Sequence, residues 1–231
     1  MSVSGSTNFS TSRNELITGA LRIVGGVAQG EVPTTDQITE AAEALNMLVK
    51  AWQVDGMQLW VTKEYTLTLV AGTSSYTPTT KMMKIISAYN HNTTNNIDIP
   101  MTVITRDEYN RLGNKTSSGN PIQLLHIPNR IDSTVKLFPT PDATSAANNE
   151  IVIVYQKPYD DFDTSADEPE FPSEWFDALK FGLAHRLCAE YGMNINDRKQ
   201  LLQEVILLKT EAISGGTEEG SIFFGVNSKH G

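Results

Sequence analysis

An α+β protein is predicted from three observations. Apolar residues recur at helical spacing near both ends of the chain, the period drops to two across the middle, and 39% hydrophobic residues in a chain of 231 suffice for a core without covalent staples. The expected architecture is a helical bundle formed by the N- and C-terminal helices, with a small antiparallel β lobe inserted between them and an extended C-terminal tail. In segments this gives an N-terminal helical hairpin over 1–58, the β lobe over 59–158, an acidic linker over 159–172, a C-terminal helical hairpin over 173–214 and the tail over 215–231.

Each element has a local cause. Ser12 and Glu15 have the form of a capping box, and Leu16, Ala20, Ile23, Val24 and Val27 then fall on one helical face until Gly25, Gly26 and Gly30 stop the helix. Thr34 and Gln37 form a second box, followed by a stripe of Ile38, Ala41, Ala42, Leu45, Leu48, Val49 and Trp52 that ends at Asp55-Gly56. From Trp60 to Leu69 residues alternate, placing Val61, Lys63, Tyr65, Leu67 and Leu69 together on one face of a strand. Further strands are expected over 83–89, 97–104, 122–127, 134–138 and 150–155, with turn-forming stretches between them. Thr105 caps a short helix over 106–112. After a Pro-, Asp- and Glu-rich stretch, Ser173 is the expected cap of a helix with Phe176, Leu179, Leu183, Leu187 and Tyr191 on one face. Asn194 to Asn196 turn the chain into a last helix whose stripe is Leu201, Leu202, Val205, Leu208 and Ala212.

Composition narrows the function. Eighteen basic residues against 27 acidic ones give a net charge of -9, which argues against a protein that grips nucleic acid through its phosphates and suits equally a wall past which DNA slides and a protein with no DNA contact. No apolar run approaches the ~18 residues of a membrane span, and Met1 to Thr7 lacks a basic and an apolar region, so neither a membrane nor an export signal is expected. The single cysteine, Cys188, rules out a disulfide framework and fits a reducing compartment.

No chemistry assembles convincingly. His185 and Cys188 are three apart on one helix face, but two ligands do not close a zinc site, and a packed cysteine beside a satisfied histidine is the preferred reading. Asp161, Asp163, Ser165 and Asp167 alternate like the opening of a calcium loop. Ala166 stands where that loop needs Gly and Pro172 where it needs Glu, so a solvated acidic linker is expected. The glycines from Gly25 to Gly30 follow a helix, not a strand, and lack a Gly-Lys-Ser/Thr ending, so they read as a loop. Trp52, Trp60, Trp175 and Phe176 offer either a stacking platform or a seam between bundle and sheet; with no basic residues interleaved, the seam is preferred. No catalytic residue, metal site or cofactor is expected. The tail is different, because Ile222, Phe223, Phe224 and Val226 form an apolar cluster in a Gly-rich polar end too poor to fold alone, and docking onto another subunit is its expected role.

The order of features then carries a resemblance. Leu137-Phe138-Pro139-Thr140-Pro141-Asp142, the strand Ile151-Val152-Ile153-Val154-Tyr155, an acidic linker, Glu170-Phe171-Pro172-Ser173-Glu174-Trp175 and a helix with Gly182-Leu183-Ala184 follow one another. Together with the helix containing Leu45 to Met57, this resembles the head-to-tail adaptor proteins of tailed bacteriophages, particularly the tail tubular protein A or head-completion type of short-tailed phages. The resemblance spans about residues 14–213. It implies a non-catalytic virion protein assembled in the host bacterial cytoplasm. Its place would be the head–tail junction, as a ring, usually of twelve copies, beneath the portal protein. There it extends the channel for double-stranded DNA and offers a platform to the next tail or nozzle protein. The apolar tail then docks on the portal, and Asp160, Asp161, Asp163, Asp167, Glu168 and Glu170 face either the channel or a basic neighbour. Competing readings are a completion ring further down the tail and a virion module that binds a receptor or carbohydrate.

Overall fold

Helix α1 (Arg13–Ile23) starts where its first free amides find partners: the Glu15 amide donates to Ser12 Oγ at 3.3 Å and the Ser12 amide to Glu15 Oε2 at 2.8 Å. It ends because Gly25 takes φ 75°, which lets the Gly26 amide reach Leu21 O at 2.8 Å and the Gly25 amide reach Arg22 O at 3.2 Å. Helix α2 (Thr35–Val54) repeats the capping logic, with the Thr34 amide on Gln37 Oε1 at 2.9 Å and the Gln37 amide on Thr34 Oγ1 at 3.3 Å. The computed structural model describes residues 9–54 and 61–215, and the chain divides into two units: Met1–Leu59 with Asp160–Gly231, and Trp60–Tyr159.

The second unit is where the expected architecture fails. It contains β1 (Thr62–Thr68), β2 (Ser75–Tyr76), β3 (Lys84–Asn92), β4 (Ile97–Ile104), α3 (Arg106–Arg111) and β5 (Ser118–Gly119). β6 (Gln123–Pro128), β7 (Ser133–Phe138), β8 (Thr140–Pro141), α4 (Ala143–Asn148) and β9 (Asn149–Gln156) complete it. Seven strands form one sheet in the order β1-β9-β3-β4-β6-β7-β2, and β5 pairs with β8 separately. The sheet curls into a half-barrel, and with 25% strand against 39% helix the protein is not a helical bundle bearing a small antiparallel β lobe. The sheet is also mixed, because β4 and β6 run parallel with Thr102 opposite Gln123 and Ile104 opposite Leu125. A parallel pair needs a crossover, and α3 lies on it; two-fold alternation in a sequence does not report strand direction.

Two apolar clusters lie in this unit. Leu67, Met82, Leu124, Leu137, Ile151 and Ile153 are buried on one face, while Ile104, Leu125 and Tyr109 of α3 form a smaller cluster with Phe138 packed against it. Helix α3 is set there by its own box: the Thr105 amide donates to Glu108 Oε2 at 2.7 Å and the Glu108 amide to Thr105 Oγ1 at 3.3 Å. Several polar groups that enter the core are paired. Ser133 Oγ accepts from the Met82 amide and donates to the Met82 carbonyl, both at 3.0 Å. Asn90 Nδ2 donates to Asn120 Oδ1 at 2.7 Å, the same oxygen accepts from Asn149 at 2.9 Å, and Asn92 donates to Asn149 Oδ1 at 2.7 Å. The strands where the chain enters and leaves this unit are neighbours, with Thr62 opposite Gln156 and Thr68 opposite Glu150.

Back in the first unit, a single 3-10 turn (Ser173–Trp175) leads into α5 (Phe176–Leu187), and α6 (Ile195–Gly215) closes the described chain. Ser173 is not the cap that the sequence suggests, since the residue falls inside the turn and no side chain caps the helix. Helix α5 is buried almost all round. Phe176, Ala178, Leu179, Leu183, Ala184, Leu187 and Cys188 are all covered, and α5 packs against α1, α2 and α6. The close approach to α2 depends on Gly182, where an added Cβ would lie 3.0 Å from Trp52 Cζ2 and 3.1 Å from Leu48 Cδ2. On α6 the expected stripe is only partly right. Leu201, Val205 and Ala212 are buried, but Leu202 is 41% exposed and so belongs to another face.

Gly182 therefore sets a packing test. Gly182→Ala is expected to destabilise the protein by about 1–3 kcal/mol through overpacking against Trp52 and Leu48, despite the better helix propensity of Ala. Urea unfolding followed by tryptophan fluorescence measures it, and an unchanged or raised midpoint contradicts the close approach.

Candidate functional site

The acidic segment between β9 and α5 is a folded strap, not the solvated linker expected. Its Phe162 and Phe171 are buried, and its backbone is tied to both N-terminal helices. The Phe162 amide donates to Asn46 Oδ1 at 2.9 Å, while Asn46 Nδ2 and Arg13 Nη1 each donate to the Phe162 carbonyl at 3.4 Å. The Arg13 amide donates to the Asp167 carbonyl at 2.8 Å. Within the strap, Asp167 Oδ2 accepts the Asp163 amide at 2.7 Å and the Thr164 amide at 2.6 Å, and its other oxygen pairs with Thr164 Oγ1. These bonds, the Thr164 hydroxyl first, hold the Asp167 carboxyl below its usual range.

The suspected acidic face is thus brought together in one segment. Asp160, Asp161, Asp163 and Glu168 are exposed, with Asp161 Oδ1 2.7 Å from Lys50 Nζ; Asp167 and Glu170 are half-buried. Asp167 is spent on backbone amides, which is turn chemistry and not an open ligand shell. Among the described residues no group of three or more His, Cys, Asp or Glu is placed to hold a metal ion. The His185–Cys188 pair takes its bland reading, since the thiol is buried and donates to the His185 carbonyl at 2.9 Å. Burial, with Arg198 and Arg186 nearby, keeps the His185 imidazole below its usual range. Among the aromatics, Trp175 meets Trp52 at 6.0 Å and Phe171 at 5.8 Å, and Phe176 meets Phe9 at 5.8 Å, all inside the helical unit. Trp60 lies outside the described residues, and so do Ile222, Phe223, Phe224 and Val226 of the tail. No helix among the described residues is long and apolar enough to cross a membrane.

Sequence reasoning missed Asn46 and Arg13 as anchors of the strap. A signal was present for one of them: Asn46 is a polar residue lodged between Leu45 and Leu48 of an otherwise apolar face.

Residues 11–212 match the SU10 adaptor protein family. The chain belongs to that family. The match takes in both units, from the capping box of α1 to the end of the α6 stripe, so the adaptor is a structural head-to-tail connector of a phage virion, as the order of sequence features implied. No curated protein matches the adaptor. A solved structure described as "Neck of empty GTA particle computed with C6 symmetry" is similar at 8% identity, covering 71% of this chain and 74% of that chain with a TM-score of 0.27.

Two predictions concern the strap and its surroundings. Asn46→Ala removes the clamp on the Phe162 backbone and leaves a buried amide short of a partner, which is expected to cost about 1–3 kcal/mol and to open the segment to protease between Asp160 and Glu170. Limited proteolysis with mass mapping reads this directly, and an unchanged cleavage pattern contradicts the clamp. Acid should weaken the adaptor in two stages. His126 and His185 are held below the usual 6.5, both chiefly by burial, so the unfolded chain takes up their protons first and stability falls as pH drops below about 6.5. Glu15, Glu108, Asp142 and Asp167 are held below the usual 4.5 and 3.8 by amide and hydroxyl donors, so their contribution is present above those values and lost below them. Melting temperature measured from pH 7.5 to 3 checks the shape, and a rise on acidification to pH 5.5 contradicts it.

Proposed function

We propose that this adaptor forms a ring under the portal, extends the DNA channel and presents the attachment platform for the next tail or nozzle protein. The match of residues 11–212 to the adaptor family carries the reading. The ring has twelve copies, the number that the resemblance to head-to-tail adaptors implies, and it assembles in the host cytoplasm at the head–tail junction. It takes no catalytic step of its own and binds no cofactor.

The chemistry of the chain supports each part. With a net charge of -9, the wall of such a channel does not hold double-stranded DNA back by counterion release. The strap presents Asp160, Asp161, Asp163 and Glu168 to solvent, with Asp167 and Glu170 half-covered behind them, as an acidic face toward the channel or toward a basic neighbour. At the C-terminus, Ile222, Phe223, Phe224 and Val226 supply the apolar anchor for the portal, worth several kcal/mol at about 25 cal/mol per Å² of buried apolar area, less the cost of ordering the segment. Repetition of that contact around a ring turns weak single affinities into a tight joint.

The test mixes the chain with the portal ring of the virus that encodes it, beside a variant lacking everything after Gly216. Native mass and electron-microscope images are expected to show a ring added by the full chain and none by the truncated one, with circular dichroism unchanged between the two. A full chain that leaves the portal bare overturns the reading.

A further inference from the structure

Helix α6 carries apolar residues on more than one face, and among the described residues only one of these faces is buried. Leu201, Val205 and Ala212 are buried, whereas Ile195, Leu202 and Ile206 are 67%, 41% and 56% exposed. Those three, with half-buried Ile213, are seven, four and seven residues apart and so form one continuous stripe along the helix. The charges beside that stripe are all basic: Arg198, Lys199 and Lys209 flank it, while Glu204 and Glu211 lie on the far side. Lys209 also lies over the Trp52 ring of its own chain, 5.2 Å from the centroid.

Helix α2 shows the complementary pattern on the face turned away from α5. Asp36, Glu40, Glu43, Met47, Ala51 and Val54 follow one another at steps of three and four, all exposed, with Met47 at 60% and Val54 at 79%. The first half of this face is acidic, and the second half is apolar with a small residue at its centre that permits close approach. Of the cations beside it, Lys50 is engaged by Asp161 at 2.7 Å, and Arg186 of α5 donates to the Met47 carbonyl at 3.5 Å.

We infer that the α6 stripe of one copy packs on the outer face of α2 of the next copy, which is the subunit contact of the ring. This rests on the ring reading above. With the two helices parallel, Arg198 and Lys199 lie beside Glu40 and Glu43, and Leu202 and Ile206 meet Met47, Ala51 and Val54. Two different surfaces of one chain make the contact, so it is head-to-tail and propagates from copy to copy until it closes, where a like-to-like contact would stop at a dimer. Opposite charge sets the register and the apolar halves supply the area.

The experiment uses the full chain, with and without the portal ring, and a short bis-maleimide cross-linker. A Met47→Cys, Leu202→Cys double variant is expected to give a ladder of covalent multimers, while Met47→Cys alone, Leu202→Cys alone and the natural chain, whose Cys188 is buried, give none. In parallel, Arg198→Glu with Lys199→Glu is expected to weaken self-association more than about tenfold, and adding Glu40→Lys with Glu43→Lys is expected to restore it. All substituted positions are exposed, and melting curves confirm that the variants fold. Dimers from either single-cysteine variant overturn the proposal by showing like faces together. A ring mass without a ladder, or a charge swap that fails to restore assembly, overturns this surface and leaves the ring standing. A chain that stays monomeric beside the portal overturns both.

Discussion

The burial of α5 is the constraint on which the helical unit depends. A twelve-residue helix covered on nearly every side cannot choose one partner; it needs α1, α2 and α6 together. Two of those partners come from the first quarter of the chain and one from the last, so the unit closes only when both ends of the sequence meet. Small residues make the meeting possible. Gly182 lets Trp52 and Leu48 come within contact, and Ala178 and Ala184 keep the helix slim enough for three neighbours. Because α5 occupies the inward faces of α2 and α6, Met47 and Val54 on the one and Leu202 and Ile206 on the other are left exposed.

The strap shows how an acidic, Pro-rich stretch becomes part of a fold without burying its charge. Its backbone polar groups are met by Asn46, by Arg13 and by its own Asp167, and two phenylalanines anchor it. The carboxylates of Asp160, Asp161, Asp163 and Glu168 stay in water, where repulsion among them is weak at physiological ionic strength. What results is a fixed display of negative charge, quite unlike a flexible tether whose charges average over all directions.

Local signals were legible and non-local ones were not. The capping boxes at Ser12 and Thr34 and the cap at Thr105 form as their residue types require, and the strand over 97–104 agrees residue for residue with β4. These depend on neighbours within a few positions. The parallel pairing of β4 and β6 and the two-residue pairings at Ser75, Ser118 and Thr140 depend on partners far along the chain, and no periodicity announces them. An antiparallel lobe was therefore expected where a mixed sheet stands. Ser173 illustrates a nearer miss, since a residue that favours caps was absorbed into a 3-10 turn. In the strap the acidic residues were legible by composition, but their anchors were not, because Asn46 acts over 116 residues of sequence separation.

The pairing of β1 with β9 settles an entropic question posed by the divided helical unit. Holding Trp52 and Phe176 in the same core would otherwise close a loop of more than a hundred residues, at a cost that grows with the logarithm of its length. Once Thr62 lies opposite Gln156, the intervening chain no longer counts as a loop; its two ends are already side by side. On a ribosome the sheet unit emerges whole before α5 does, so it can fold first and hand the second half of the helical unit back to the first. Until α5 emerges, the α1–α2 hairpin lacks the helix that packs on Leu48 and Trp52 through Gly182.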